Sequence, residues 1–231
     1  MLWTVKLQIL LGLLPGLVWL FFFLQEDPDG EPPKLIAATF VIGAAFAFFA
    51  LLVQLALNER LVQYGLSTAA PIAIIAMALI EEVAKFMAAF TSVHRNKAFD
   101  VPTDAMIYMI VAALGFATVE NLGAVAIRPS SITSASGMFE TATFRFAGAT
   151  LLHALAAGII GYHWARGLMK SRLVVRIIWG IVLATALHAL FNYLILGHGT
   201  LFYALVFVLF GGLFVLRDFE KLNRARINIR G

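Results

Sequence analysis

The sequence predicts an all-α, polytopic transmembrane bundle of about seven spans, forming one domain over residues 1–231. Three observations carry this: the composition, a series of continuous apolar runs of spanning length, and the placing of most basic residues in short connections. The chain is 61% hydrophobic and 13% charged, with a mean hydropathy of +0.91. A soluble domain carries roughly 25% charged residues and 45–50% apolar ones, so water is the wrong solvent for this chain. The runs are continuous and rich in Leu, Ala and Phe, without the period-two alternation of a transmembrane barrel.

A spanning helix needs about 20 mainly apolar residues. Seven segments qualify: 5–24, 35–57, 69–91, 102–127, 138–165, 173–196 and 200–216. The first, Val5 to Leu24, is longer than a signal-peptide core and has no small-residue cleavage site before Gln25, so it reads as a retained span. The connection Gln25–Lys34 (QEDPDGEPPK) is proline-rich and acidic, which makes it a loop. Asn58–Thr68, Ser92–Val101, Arg128–Gly137 and Arg166–Arg172 are the other polar connections. No repeat or interdomain linker interrupts them, and the motif-bearing core falls at about 69–196.

The net charge of +4 and pI near 9.6 do not point to nucleic acid, because the bases form no groove-sized patch. They sit mostly in short loops, a pattern that sets membrane orientation. With the N-terminus outside, the cytoplasmic side receives Lys34, Arg95, Lys97, the bases between Arg166 and Arg176, and those from Arg217 to Arg230. Only Lys6, Arg60 and Arg128 fall outside. The expected topology is therefore N-outside and C-cytoplasmic. Cysteine is absent, which excludes disulfides, a thiol nucleophile and thiolate metal ligands.

Five charged residues fall inside spans: Glu81, Glu82, Lys85, Glu120 and Arg145. Isolated at mid-membrane they would together cost roughly 12–17 kcal/mol, about the whole stability of a domain. They must pair, face water or bind an ion. In ALIEEVAKFMAAF, Lys85 stands four residues after Glu81 and three after Glu82, so it can reach back to either. GFATVEN places Phe116 and Glu120 one turn apart, followed by Asn121. The fifth span carries Arg145 and His153, and the sixth carries His188 and Asn192 one turn apart.

Each residue alone has a structural reading, as a helix-internal salt bridge, an interhelical hydrogen bond or a satisfied core histidine. Their depths argue for convergence. Glu81 lies about 12 residues from the outer end of its span, Glu120 and His188 about 8, and His153 about 11 to 15, a slab roughly 10 Å deep. His94, His163 and His198 lie at span ends and are expected to be wet. Asp104 is placed to cap the fourth span. Gly158 and Gly161 are placed to let helices approach.

Such a cluster suits three tasks. Two histidines and a carboxylate complete a three-ligand zinc site, here His153, His188 and Glu120 or one of Glu81 and Glu82, leaving a position for water. A further glutamate can serve as general base, with His188 or Asn192 as donor to an oxyanion. The alternatives are a Glu/His proton or ion relay in a transporter and a non-catalytic scaffold. No HEXXH motif is present, so a zinc site would be assembled across helices.

EEVAK (81–85), FATVEN (116–121), His153 and HALFN (188–192), four motifs in order over residues 81–192, resemble the PrsW family of intramembrane proteases. That family is related to the CAAX prenyl endopeptidases and to a scaffold subunit of γ-secretase. Asp104, Tyr108 and Arg145 also resemble the family's pattern. The resemblance implies site-1 cleavage of anti-sigma factors or similar single-span membrane proteins, in a prokaryotic cytoplasmic membrane. It carries the paired acids onto Glu81 and Glu82, the second motif's acid onto Glu120, and the histidines onto His153 and His188. The catalytic candidates are thus Glu81, Glu82, Lys85, Glu120, Arg145, His188 and Asn192, with zinc or a metal-free, glutamate-activated water both open. The lipid bilayer and a single-span protein are the expected partners, and oligomeric state is not fixed by the sequence.

Overall fold

The computed structural model describes residues 2–27, 29–126, 135–170, 172–198 and 201–230. The elements are α1 (Leu2–Leu24), α2 (Pro33–Gln63), α3 (Pro71–Val93), α4 (Asp104–Ala126), α5 (Ala135–Phe144), a π-helical segment (Arg145–Thr150), α6 (Leu151–Lys170), α7 (Leu173–His198) and α8 (Leu201–Arg230). No strand occurs among the described residues. Both α2 and α3 open on proline, whose fixed φ and missing N–H cost nothing in a first turn. Among the described residues, five stretches are long and apolar enough to cross a membrane: 5–24, 33–63, 104–125, 137–170 and 173–195. The helix α3 matches them in length at 23 residues but carries Glu81, Glu82 and Lys85 in its middle. The first half of α8 is apolar and its second half is basic.

Several expected boundaries need correction. Residues 58–63 continue α2 rather than opening a loop, 166–170 complete α6, and α8 runs on past 216. Helix propensity carries these ends beyond the apolar window, and in α8 buried Phe219 and Leu222 add packing. Residues 128–134 of the expected Arg128–Gly137 loop lie outside the described residues.

The helix α4 is the centre of the bundle. Residues from Ala105 to Ala117 are nearly all buried, because α1, α2, α3 and α6 all pack on it. Lipid offers no hydrophobic drive between helices, so close approach through small residues must supply the packing. At the α2–α4 crossing, a Cβ on Gly43 would stand 2.0 Å from the Ala112 carbonyl oxygen, and one on Gly115 would stand 2.0 Å from that of Phe40. A Cβ on Gly161 would stand 2.5 Å from the Met106 backbone and one on Gly158 2.8 Å from the Val215 side chain, the close approach that the sequence predicts. The outer faces keep large apolar side chains exposed, among them Phe48, Phe49, Leu52, Val174, Trp179, Phe210 and Leu213. Acyl chains are the solvent that suits them.

Asp104 does not cap α4 in the expected sense. It is already the first helical residue, and its Oδ2 accepts from the backbone N–H groups of Asp100 (2.8 Å) and Val101 (2.9 Å) in the preceding turn. The side chain fastens the α3–α4 connection onto the bundle.

The expected fifth span is three pieces, with the π segment joining α5 to α6. A π turn takes in about one extra residue, a feature concentrated at functional sites. Residues eight apart on a regular α-helix are about 80° out of phase, and the widened turn brings Arg145 and His153 closer to one face. The Phe146 carbonyl accepts from Trp19 Nε1 at 2.8 Å, and the Trp19 and Phe146 rings stack at 5.3 Å. The helix α1 thus holds the irregular segment in place.

Candidate active site

Four helices and the π segment deliver charged side chains to one locus beside α4. From α3, Glu82 Oε1 accepts from Lys85 Nζ at 2.6 Å and from His188 Nδ1 of α7 at 2.7 Å. Glu82 and Lys85 are wholly inaccessible, which resolves the two options of the sequence in favour of the three-residue pair. From α4, Glu120 Oε2 lies 2.9 Å from His153 Nε2 of α6 and 3.3 Å from Arg145 Nη2. Arg145 Nε also donates to Asn121 Oδ1, and Asn121 Nδ2 donates to Thr150 Oγ1 at 3.0 Å. The His153 and His188 rings meet edge to face at 5.1 Å.

These bonds fix the imidazoles. Each histidine gives one ring N–H to a carboxylate, His188 through Nδ1 to Glu82 and His153 through Nε2 to Glu120. In the neutral ring the other nitrogen is then a lone-pair acceptor. His188 Nε2 faces Glu81 Oε2 at 3.6 Å, acceptor against acceptor. Glu81 Oε2 and His153 Nδ1 are buried with no hydrogen-bond partner among the described residues. The other Glu81 oxygen, Oε1, accepts from Gln54 Nε2 of α2 at 2.9 Å.

Glu81, His153 and His188 each present one ligand atom, and the three atoms lie within 4.8 Å of one another. Around a tetrahedral ion at ~2.1 Å, donor atoms stand roughly 3.4 Å apart, so a modest closure would seat a cation. Glu120 stands behind His153, beside Arg145, rather than among the three. Its side chain is 31% exposed, against 11% for Glu81 and none for Glu82, so Glu120 lies at the mouth of the site. Asn192 is half-buried, one turn beyond His188 on α7, with no side-chain hydrogen bond among the described residues. Three carboxylates face two fixed cations, Lys85 and Arg145.

Comparison with known proteins gives the family of the chain. The sequence profile of the family described as PrsW family intramembrane metalloprotease matches residues 31–215. The chain belongs to the PrsW family. It is 27% identical over 187 residues to Protease PrsW of Geobacillus kaustophilus, covering 80% of this chain and 78% of that protein. With Protease PrsW of Bacillus subtilis it shares 25% identity over 221 residues, 94% of this chain and 95% of the relative. No solved structure gives a significant match. The chain is therefore an intramembrane protease, a peptide-bond hydrolase embedded in a helical membrane bundle.

The metal that the family description implies fits these residues. Two imidazoles with open nitrogens and a carboxylate with an unpaired oxygen form the donor set of a catalytic zinc site. Carboxylates behind both histidines are the outer partners that fix the tautomer of a metal-ligating ring.

Of the residues expected from the sequence, Glu81, Glu82, Lys85, Glu120, Arg145, His153 and His188 meet in one network. Asn192 lies beside it. Gln54, Asn121 and Thr150 are members that sequence reasoning missed or left without a role. Gln54 had a signal, since it is an amide in an otherwise apolar stretch of α2. At the span ends, exposed His94 stacks on Phe90 at 4.5 Å, and half-buried His163 packs against Gly180. The His198 side chain lies outside the described residues.

Proposed function

We propose that this PrsW-family protease cleaves single-span membrane proteins, of the anti-sigma-factor kind, in the cytoplasmic membrane of a prokaryote. Zinc is the proposed metal, with the N-terminus outside and the C-terminus cytoplasmic. The observation that carries the metal assignment is the buried trio Glu81, His153 and His188, whose open lone pairs face one another. Glu81 replaces Glu120 here as the third ligand. Bound there, zinc would supply Lewis acidity and lower the pKa of a water toward about 7.

The side chains divide the remaining work. Glu82 orients His188 through its Nδ1–H and is itself neutralised by Lys85. Gln54 holds Glu81 Oε1 and so leaves Oε2 turned inward. Glu120, the carboxylate most open to entering solvent, stands behind His153 and would take a proton from the attacking water through one bridging water and pass it to the leaving amine. Arg145, braced by Asn121, keeps Glu120 at the mouth and beside His153. The Asn192 amide, one turn from His188, is the donor available to the oxyanion that develops on the scissile carbonyl. Burial of the trio keeps bulk water from competing for these bonds.

The test is cleavage of a tagged single-span substrate in proteoliposomes by wild type, Glu81→Gln and Glu82→Gln. Both substitutions keep size and hydrogen-bonding capacity while removing charge. Cleavage lost in a correctly inserted, folded Glu81→Gln supports the assignment, with Glu82→Gln reporting on the orientation of His188; full cleavage by Glu81→Gln contradicts it.

A further inference from the structure

The end of the α6–α7 hairpin carries a second charged locus that the hydrolytic site does not use. Arg166 is 13 residues along α6 from His153, roughly 20 Å away. The hairpin register is set by two close contacts: a Cβ on Gly167 would meet the Leu173 backbone at 3.0 Å, and one on Gly180 would meet the His163 Cβ at 2.9 Å. Between these contacts Arg166 of α6 and Arg176 of α7 fall at the same level. Both guanidinium charges lie within electrostatic reach of His163, as does Asp218 of α8. Neither arginine has a carboxylate within 4.0 Å among the described residues, and the Nε of each is buried without a hydrogen-bond partner. Asp218 is already taken by Lys221 at 2.6 Å. Tyr162 fixes the locus, with Arg166 and Lys221 over its ring at 5.6 and 5.4 Å and its hydroxyl accepting from Arg166 Nη1 at 3.1 Å.

Depth and the adjoining surface identify the ligand. Arg166 is four residues from the end of α6 and Arg176 three from the start of α7, about 6 and 4.5 Å inside the helix ends. That is the headgroup layer of a bilayer. Below Arg172 and Arg176, the same α7 face continues at helical spacing into Trp179 and Leu183, which are 58% and 45% exposed. Guanidinium forks with no carboxylate partner among the described residues, at headgroup depth above an apolar, lipid-facing stripe, match a phosphodiester with its acyl chains attached.

We infer that Arg166 and Arg176, framed by Tyr162 and Lys221, bind the phosphate of an anionic phospholipid at the α6–α7–α8 corner. The full chain, purified in mild detergent, is titrated with phosphatidylglycerol, phosphatidylcholine and inorganic phosphate and read by native mass spectrometry. Phosphatidylglycerol is expected to remain bound at least about tenfold more strongly than phosphatidylcholine. Arg166→Gln/Arg176→Gln should abolish that preference, and Arg224→Gln, on an exposed part of α8, should keep it. Equal retention of the two lipids by wild type overturns the inference, and this arm needs no variant to fold. An undiminished preference in a folded double variant overturns it too, as does displacement of the lipid by equimolar phosphate, which would mean a free-anion site.

Discussion

Replacing Lys85 with methionine removes the ammonium from a wholly buried pair while roughly keeping side-chain length. In the native site that ammonium lies 2.6 Å from Glu82 and 5.3 Å from the Phe116 ring centroid. Methionine would leave Glu82 buried with only the His188 N–H as partner. Breaking one side of a buried ion pair costs about 3–5 kcal/mol, whereas removing both partners is often nearly neutral. For a chain of this size each kcal/mol shifts the midpoint by about 2–4 °C, so Lys85→Met is expected to lower Tm by roughly 6–20 °C. Adding Glu82→Gln keeps an acceptor for His188 Nδ1 and removes the stranded charge. The double variant should recover at least half of the lost stability, without recovering cleavage. Thermal unfolding in detergent, followed by helical circular dichroism, measures this directly. A Lys85→Met variant within about 0.5 kcal/mol of wild type, or a double variant whose losses simply add, would refute the pair as drawn.

Three further outcomes follow from the geometry. Gln54→Leu removes one hydrogen bond to Glu81, worth about 0.5–1.5 kcal/mol. It should therefore lower kcat about three- to tenfold with KM little changed, and an unchanged kcat would leave Gln54 a packing residue. Gly115→Ala drives a Cβ onto the Phe40 carbonyl oxygen, so stability should fall by about 1–3 kcal/mol, whereas Gly211→Ala, with its nearest contact at 3.8 Å, should change it little. At the α1–α2 connection, burial pushes the Glu31 carboxyl above its ordinary value of 4.5, helped by Asp27 and Asp100 and opposed by hydrogen bonds with Tyr108 and Asp104. The folded protein therefore binds this proton more tightly than the unfolded chain, and stability falls as pH rises from 4.5 through the raised value. Glu31→Gln should shrink the drop in Tm between pH 4.5 and neutrality, and an identical drop in the variant would contradict that account.

The convergence of the site was legible because charge is expensive in an apolar run. Glu81, Glu82, Lys85, Glu120 and Arg145 could not be stranded, and their common depth brought His153 and His188 with them. The three-residue reach of Lys85 to Glu82 is a local property of one helix, so spacing could anticipate it. Which carboxylate joins the histidines is not local. It depends on the rotation of α3, α4, α6 and α7 about their own axes, and that rotation favours Glu81 while placing Glu120 behind His153. The π segment left no mark in the hydropathy, because RFAGAT reads equally well as α-helix. Gln54 was hidden for a different reason: one amide in a long apolar helix has many acceptors within reach, and only the docking of α2 on α3 selects Glu81. The helix ends past Asn58, Arg166 and Leu216 were missed because polar residues extend a helix as readily as they end a span.

The most direct measurement is the metal content of the purified chain, by mass spectrometry, in wild type, Glu81→Gln, His153→Ala and His188→Ala, each with cleavage assayed before and after chelation. The account predicts stoichiometric zinc in wild type, loss of metal and cleavage together in the three variants, and restoration of wild-type cleavage when zinc is returned after chelation. A metal-free wild type that cleaves its substrate and ignores chelators would contradict the central claim.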